Sequence, residues 1–271
     1  MAEVAIALVV DSSAALASEW SNIMQAYIMP MLRRLGEPNP TGIKFRVAFI
    51  TYGTQGTPIL CKNFFVDVMA IMTAFRDDPA GLGLGQTTCG GGAGMAALEG
   101  FVAAVELFDS LRQSAQLKNS PFPPLFHIFH VAAGIPDSAE HPQCNLSPAL
   151  DSVTWDSLPS ELKKRNIHLS TIHLRPKLPK FTELHSTTSL TGIVAPWFAV
   201  RPQHTVLLSG YPVPQKGAGL KRAGEPIAAD RTPDSKRPKM SPPNTNASPP
   251  KTTQTSPAPP PPRVQTPAAV H

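Results

Sequence analysis

The 271 residues include only three cysteines, three tyrosines and three tryptophans, and charged side chains make up 16% of the chain. Cys61, Cys89 and Cys144 are odd in number, widely spaced and form no CxxC pair. Neither a disulfide framework nor a zinc ribbon follows from them, and a reducing compartment fits best. No window approaches the roughly 18 apolar residues of a membrane span. The apolar run near the N-terminus followed by "SAALA" imitates a signal peptide, but Glu3 and the absence of a basic residue before it argue against one. The expectation is an intracellular soluble protein.

Charge is unevenly distributed. Residues 1–209 hold 15 Lys or Arg against 16 Asp or Glu, so the net charge of +5 resides in the C-terminal tail. A near-neutral folded part gives no electrostatic footprint for nucleic acid. The tail also takes 15 of the 31 prolines in its last 62 residues and has almost no aromatics. Such a segment buries too little apolar area to offset its ordering entropy, and disorder is expected over 215–271.

Upstream, the pattern alternates. "VAIALVV" (Val4–Val10) is a strand buried on both faces. Trp20, Ile23, Met24, Tyr27, Met31 and Leu35 recur at helical spacing, with Ser18 as the expected N-cap and Pro30 expected to kink the helix or cut off its last turn. "KFRVAFITY" is a second strand, "TPIL" a short edge strand, and Phe64–Phe75 reads as a helix. After the glycine-rich Gly81–Gly94, Met95–Gln113 is apolar nearly all round, as in a helix buried between other elements. "LFHIFHVAAG" and "NIHLSTIHL" add strands, Thr154–Lys164 and "KLPKFTELHS" add helices, and "HTVLLSGY" is a strand or a docking segment. This alternation predicts an α/β fold with a doubly wound, mostly parallel sheet flanked by helices. Ligands of such sheets bind off the C-terminal strand ends, where Asp11, Ser12 and Ser13 fall.

Several chemistries are excluded by spacing. Gly85 and Gly90 have P-loop spacing, but Gly91 and Gly92 stand where Lys and Ser/Thr are required, and G-x-G-x-x-G fails at Thr88. His127 and His130 have opposite parity on one strand, so they face opposite ways and cannot easily share an ion with His141 and Cys144. No G-x-S-x-G elbow or partnered nucleophile is present, and no catalytic residue is assigned. In the tail, Lys236, Arg237 and Lys239, with Lys221 and Arg222 upstream, have the form of a bipartite nuclear import signal for an acidic receptor groove. Thr232, Ser241, Ser248, Ser256 and Thr266 each precede proline and are candidate phosphosites.

Taken in order, "VAIALVVDSSAAL", "YIMPMLRRL", "GGGAGMAALEGFVAAVELFD", "RNIHLSTIHLRPKLP" and "HTVLLSGYPVP" resemble a von Willebrand factor A domain. More narrowly, they resemble the N-terminal domain of the Mediator subunit 25 family, in a divergent form of fungal type. The resemblance covers about residues 4–214. It implies an A-type domain over 1–190, an extension over 191–214 that docks on it, and a non-enzymatic role in the nucleus. That role would be docking to other Mediator subunits in RNA polymerase II transcription, without cofactor, nucleic acid or membrane. The alternative is a metal-dependent A-domain adhesion or scaffold protein.

Metal-competent A domains use Asp-x-Ser-x-Ser, a Thr before the long helix and a later Asp. Asp11 and Ser13 match that pattern, but Ala15 replaces the second Ser and Ala133 the later Asp. The Thr position falls at Gly92–Ala93, with Thr87 and Thr88 several residues early. One carboxylate and one hydroxyl hold Mg²⁺ poorly. The expectation is a metal-site shape without its ion, in which Asp11 and Ser13 satisfy backbone donors.

Overall fold

The apolar run that begins at Val4 forms the centre of the sheet. In a computed structural model describing residues 2–37, 42–87, 94–114, 123–192 and 194–212, β1 (Ala2–Asp11) is flanked on both sides by parallel strands. It pairs with β2 (Ile43–Tyr52) in register Ala2–Ile43 through Asp11–Tyr52, and with β4 (Leu125–Ala132) in register Val4–Leu125 through Val10–Val131. Residues Val4–Val10 are buried, as a strand covered by helices on both faces must be. β5 (Ile167–His173) continues the parallel set beyond β4. Two antiparallel strands close the edges: β3 (Ile59–Asp67) beside β2, and β6 (Thr205–Leu207) beside β5. The order β3-β2-β1-β4-β5-β6 is a doubly wound α/β sheet, mostly parallel, as the alternation of elements predicts.

The first helical stretch begins one residue after Ser13, whose hydroxyl accepts from Leu16 N at 3.2 Å. Ser13, and not Ser18, is therefore the N-cap of α1 (Ala14–Ile23); Ser18 donates to the Ala15 carbonyl within the helix. Pro30 does not cut off the last turn, because the helix runs on to Gly36. A π-helical turn, Met24–Ile28, precedes α2 (Met29–Gly36) and places Pro30 in the new helix's first turn, where a missing N–H costs little.

Phe64–Phe75 is not one helix. The strand runs on to Asp67, whose carboxylate caps Met69 N at 2.9 Å and starts α3 (Val68–Asp77). The edge strand is correspondingly longer than "TPIL". Adjacent residues of β3 alternate in face, so Phe65 packs onto the Phe108 ring while Phe64 stays exposed, and the ladder slips between Val47 and Phe49.

α4 (Ala97–Gln113), α5 (Leu158–Lys164) and α6 (Pro179–Thr188) cover one face of the sheet. α1, α2 and α3 cover the other. α4 is buried almost all round because Glu99 and Glu106, one above the other on its outer side, clamp the irregular segment after β4. Glu99 accepts from Gln143 N and from Cys144 N (3.2 Å); Glu106 accepts from Leu146 N (2.5 Å) and Ser147 N (2.7 Å) and pairs with Lys62.

Residues 194–212 are packed on the domain and contribute β6. Tyr27, for example, holds them through Oη, 2.8 Å from His204 Nδ1 and accepting from Arg201 N at 3.2 Å. The import-signal residues Lys221, Arg222, Lys236, Arg237 and Lys239, and the five candidate phosphosites, lie outside the described residues. No described helix is long and apolar enough to cross a membrane.

Candidate functional site

After β1 the chain turns towards β2 and after its neighbour β4 it turns the other way, towards β5, so the two connections part at the C-terminal ends of these strands. This is the switch point where doubly wound sheets form their crevice. Asp11 ends β1 there, and its side chain is fully buried. Oδ1 accepts from Ser13 N (3.1 Å) and Ser13 Oγ (2.6 Å). Oδ2 accepts from the backbone of the loop after β4, at Ala133 N (2.5 Å) and Gly134 N (2.9 Å). Four donors thus converge on one carboxylate, and the Ser13 hydroxyl is spent as donor to Asp11 and acceptor at the α1 cap.

Thr87 lies closer to this turn than its sequence position suggests. Thr87 N donates to Ser12 O (3.0 Å) and Ala14 N donates to Thr87 O (3.1 Å), a short parallel bridge across 75 residues. Its hydroxyl is 2.5 Å from Ser12 Oγ, so it meets the serine that the Asp-x-Ser pattern leaves unassigned, and not Asp11. The loop reaches this point through a left-handed Gly83 (φ +84°), where a Cβ would stand 3.0 Å from Leu60 Cβ. Gly92–Ala93 lies outside the described residues.

These residues do not fit a divalent cation. Mg²⁺ takes six oxygens at near-ideal geometry. Ala15 and Ala133 offer no side-chain oxygen, both Asp11 oxygens already accept two donors each, and two backbone N–H groups point where a cation would repel them. Among the described residues no group of three or more His, Cys, Asp or Glu could hold a metal either. What the arrangement does chemically is join three segments, the β1–α1 turn, the Thr87 loop and the β4 loop, through one buried carboxylate. A second bridge, Met95 with Pro136, ties the start of α4 to the same β4 loop.

The histidines separate as strand parity requires. His130 faces α4, with Nε2 2.8 Å from Tyr52 Oη and Nδ1 3.0 Å from Thr171 Oγ1, which in turn lies 2.8 Å from His173 Nε2. This chain of polar groups begins one strand away from Asp11, whose register partner is Tyr52. Burial keeps these imidazoles neutral: it lowers His130 well below the usual value and His173 to about 4. His127 faces the other way, its ring 5.1 Å from that of His168, its register partner. Gly210 closes over this pair with φ +79°; a Cβ there would come within 2.3 Å of His168 Cγ. His141 and Cys144 join neither group, and Cys144 is exposed.

The opposite end of the sheet is apolar. α2, α3 and the start of β2 enclose a groove of about 360 Å³ lined by Met29, Leu32, Phe45, Val68, Met69 and Met72, with Arg33, Gly36 and Glu37 at its rim. Met69 is 69% exposed. Met29 and Leu32 lie outside the stripe that helical spacing singles out from Trp20 to Leu35, and nothing in the sequence marked them as a surface.

No family model and no curated protein matches the chain. Among solved structures, the chain is similar to the SpRpn10 VWA domain at 13% identity, over 70% of this chain and 84% of that one, with a TM-score of 0.39. It is similar to the pilus adhesin SpaC from Lactobacillus rhamnosus GG in its open conformation, at 9% identity over 63% of this chain and 24% of that one, TM-score 0.36. It is also similar to the manganese-loaded TRAP protein of Plasmodium vivax, at 12% identity over 72% of this chain and 65% of that one, TM-score 0.34. Likenesses this distant carry no argument. The class that the strand order and the filled switch point define is a doubly wound α/β domain whose strand-end crevice is closed by its own chain.

Proposed function

We propose that this chain is a non-enzymatic, von Willebrand factor A-like docking subunit of the Mediator coactivator complex, acting in the nucleus in RNA polymerase II transcription. The observation that carries the reading is the saturated Asp11 carboxylate: four donors of the protein itself stand where a metal-dependent A domain would bind its ion and its partner's carboxylate. Binding without a metal must then use protein surface, and the domain offers an apolar one. The ordered motifs of the resemblance supply the complex, and the basic run Lys236–Lys239 with Lys221 and Arg222 supplies the route through a nuclear import receptor. Phosphorylation at Thr232, Ser241, Ser248, Ser256 or Thr266 would add negative charge to a basic tail and weaken that import contact.

The test is affinity purification of the tagged full chain from nuclear extract with and without EDTA, beside a Lys236/Arg237/Lys239→Ala variant. Mediator subunits recovered equally in both buffers support the reading, with nuclear accumulation lost in the variant. Partners lost in EDTA support the metal-dependent alternative instead, and absence of Mediator removes the assignment.

A further inference from the structure

We infer that the groove between α2 and α3 is the docking surface for an amphipathic helix that carries acidic residues beside its apolar stripe. The inference rests on the docking reading above and names its surface and the chemistry of its partner.

The groove's lining is apolar throughout and its charges sit only at the rim. Met29 and Met69 are 40% and 69% exposed, an unusual amount of water contact for long apolar side chains standing together. Residues of two helices and Phe45 of β2 line it, an arrangement that can seat a row of apolar side chains from a third helix. It has room for a few large apolar side chains and lacks the converging polar groups that would orient a small molecule. Three of its six apolar residues are methionines, whose unbranched side chains refit to an incoming surface.

The rim selects the partner's charge. Glu37 is held by Arg34 at 2.5 Å, an exposed pair one turn further along α2. Arg33 is exposed and takes part in no ion pair among the described residues. Of the two charged residues that line the groove, the unpaired one is therefore positive and stands on the α2 side, opposite the exposed Asp67 that caps Met69 N just outside the lining. A helix presenting Asp or Glu next to its apolar stripe gains a carboxylate–guanidinium contact, and one presenting Lys or Arg is repelled.

The test places a photo-cross-linking p-benzoylphenylalanine at position 69 of the tagged full chain, irradiates it in nuclear extract, and maps the joined peptide by mass spectrometry. The expected product is a segment of a co-purifying subunit with apolar residues at i, i+3, i+4 and i+7 and Asp or Glu beside them. That segment, made as a synthetic peptide, is then titrated against the full chain. Arg33→Glu should weaken it about tenfold or more, Arg33→Lys should retain most of the affinity, and Met69→Lys should abolish detectable binding. Both positions are exposed, so the melting temperatures of all three variants should match the parent chain.

Mediator subunits that co-purify while position 69 cross-links nothing, a basic or extended segment, or a second copy of this chain overturn the groove and leave the docking reading standing. A cross-link to an acidic amphipathic helix outside Mediator does the reverse.

Discussion

At the C-terminal end of the sheet Asp11 is fully buried and receives four donors, whereas at the N-terminal end Met69 stands 69% exposed beside a groove that no described residue fills. The first end is polar, buried and internally satisfied; the second is apolar and open. A buried carboxylate costs free energy unless it is fully hydrogen-bonded, so a strand-end site without a cation persists only if the chain supplies donors in its place. Ala133 N and Gly134 N are those donors. Exposed methionines carry the opposite free-energy imbalance, which an apolar partner relieves. In this chain the fold's usual ligand-binding end is a structural joint, and the surface proposed for docking lies at the other.

The largest effect expected at the polar end is acid sensitivity. His173 binds a proton near 6.5 when unfolded and at about 4 when folded, and burial also holds His130 and His127 well below the usual value. The unfolded chain therefore takes up more protons across this window. The contribution is full above about pH 6.5 and is lost as the pH falls toward 4, by about 3 kcal/mol for His173 alone. Urea midpoints measured from pH 7 to 4 should drop steeply, and a flat profile would mean that the histidine network is open to water.

Next comes Asp11→Ala, which strands the donors of Ser13, Ala133 and Gly134. A loss of about 3–4 kcal/mol is expected in chemical denaturation, with no recovery on adding Mg²⁺. Glu106→Gln should cost about 1–2 kcal/mol by weakening the clamp on Leu146, Ser147 and Lys62, and should speed amide exchange at those two residues. Smallest is Met69→Lys, within about 0.5 kcal/mol of the parent, because the side chain is already mostly in water. A large destabilisation there would place Met69 in the core and erase the contrast between the two ends.

Much of the polar end was legible in the sequence. The apolar run ending in Asp-Ser-Ser gave the strand and its turn, Ala15 and Ala133 marked the missing ligands, and parity separated His127 from His130. What the sequence concealed were contacts between distant segments. Thr87 reaches Ser12 across 75 residues by a loop length that spacing rules do not fix. Glu99 and Glu106 looked like ordinary helix charges until the segment 143–147 came to lie on them. The β3–α3 boundary was misjudged because Phe64, Val68, Ile71 and Phe75 keep helical spacing across a strand end that only the Asp67 cap reveals. The groove was hidden because Met29 and Leu32 fall outside the stripe that the helical spacing marks, and only the packing shows that Met29 stands in water while Leu32 is buried.

Thermal melting of the full chain in millimolar Mg²⁺ or Mn²⁺ against EDTA tests the central claim most directly. A chain whose strand-end carboxylate is saturated by its own donors should melt at the same temperature in all three. A resident ion at a hundred times its Kd would stabilise the fold by about 2.7 kcal/mol and raise the midpoint by several degrees, which would contradict the account and return Asp11 to metal chemistry.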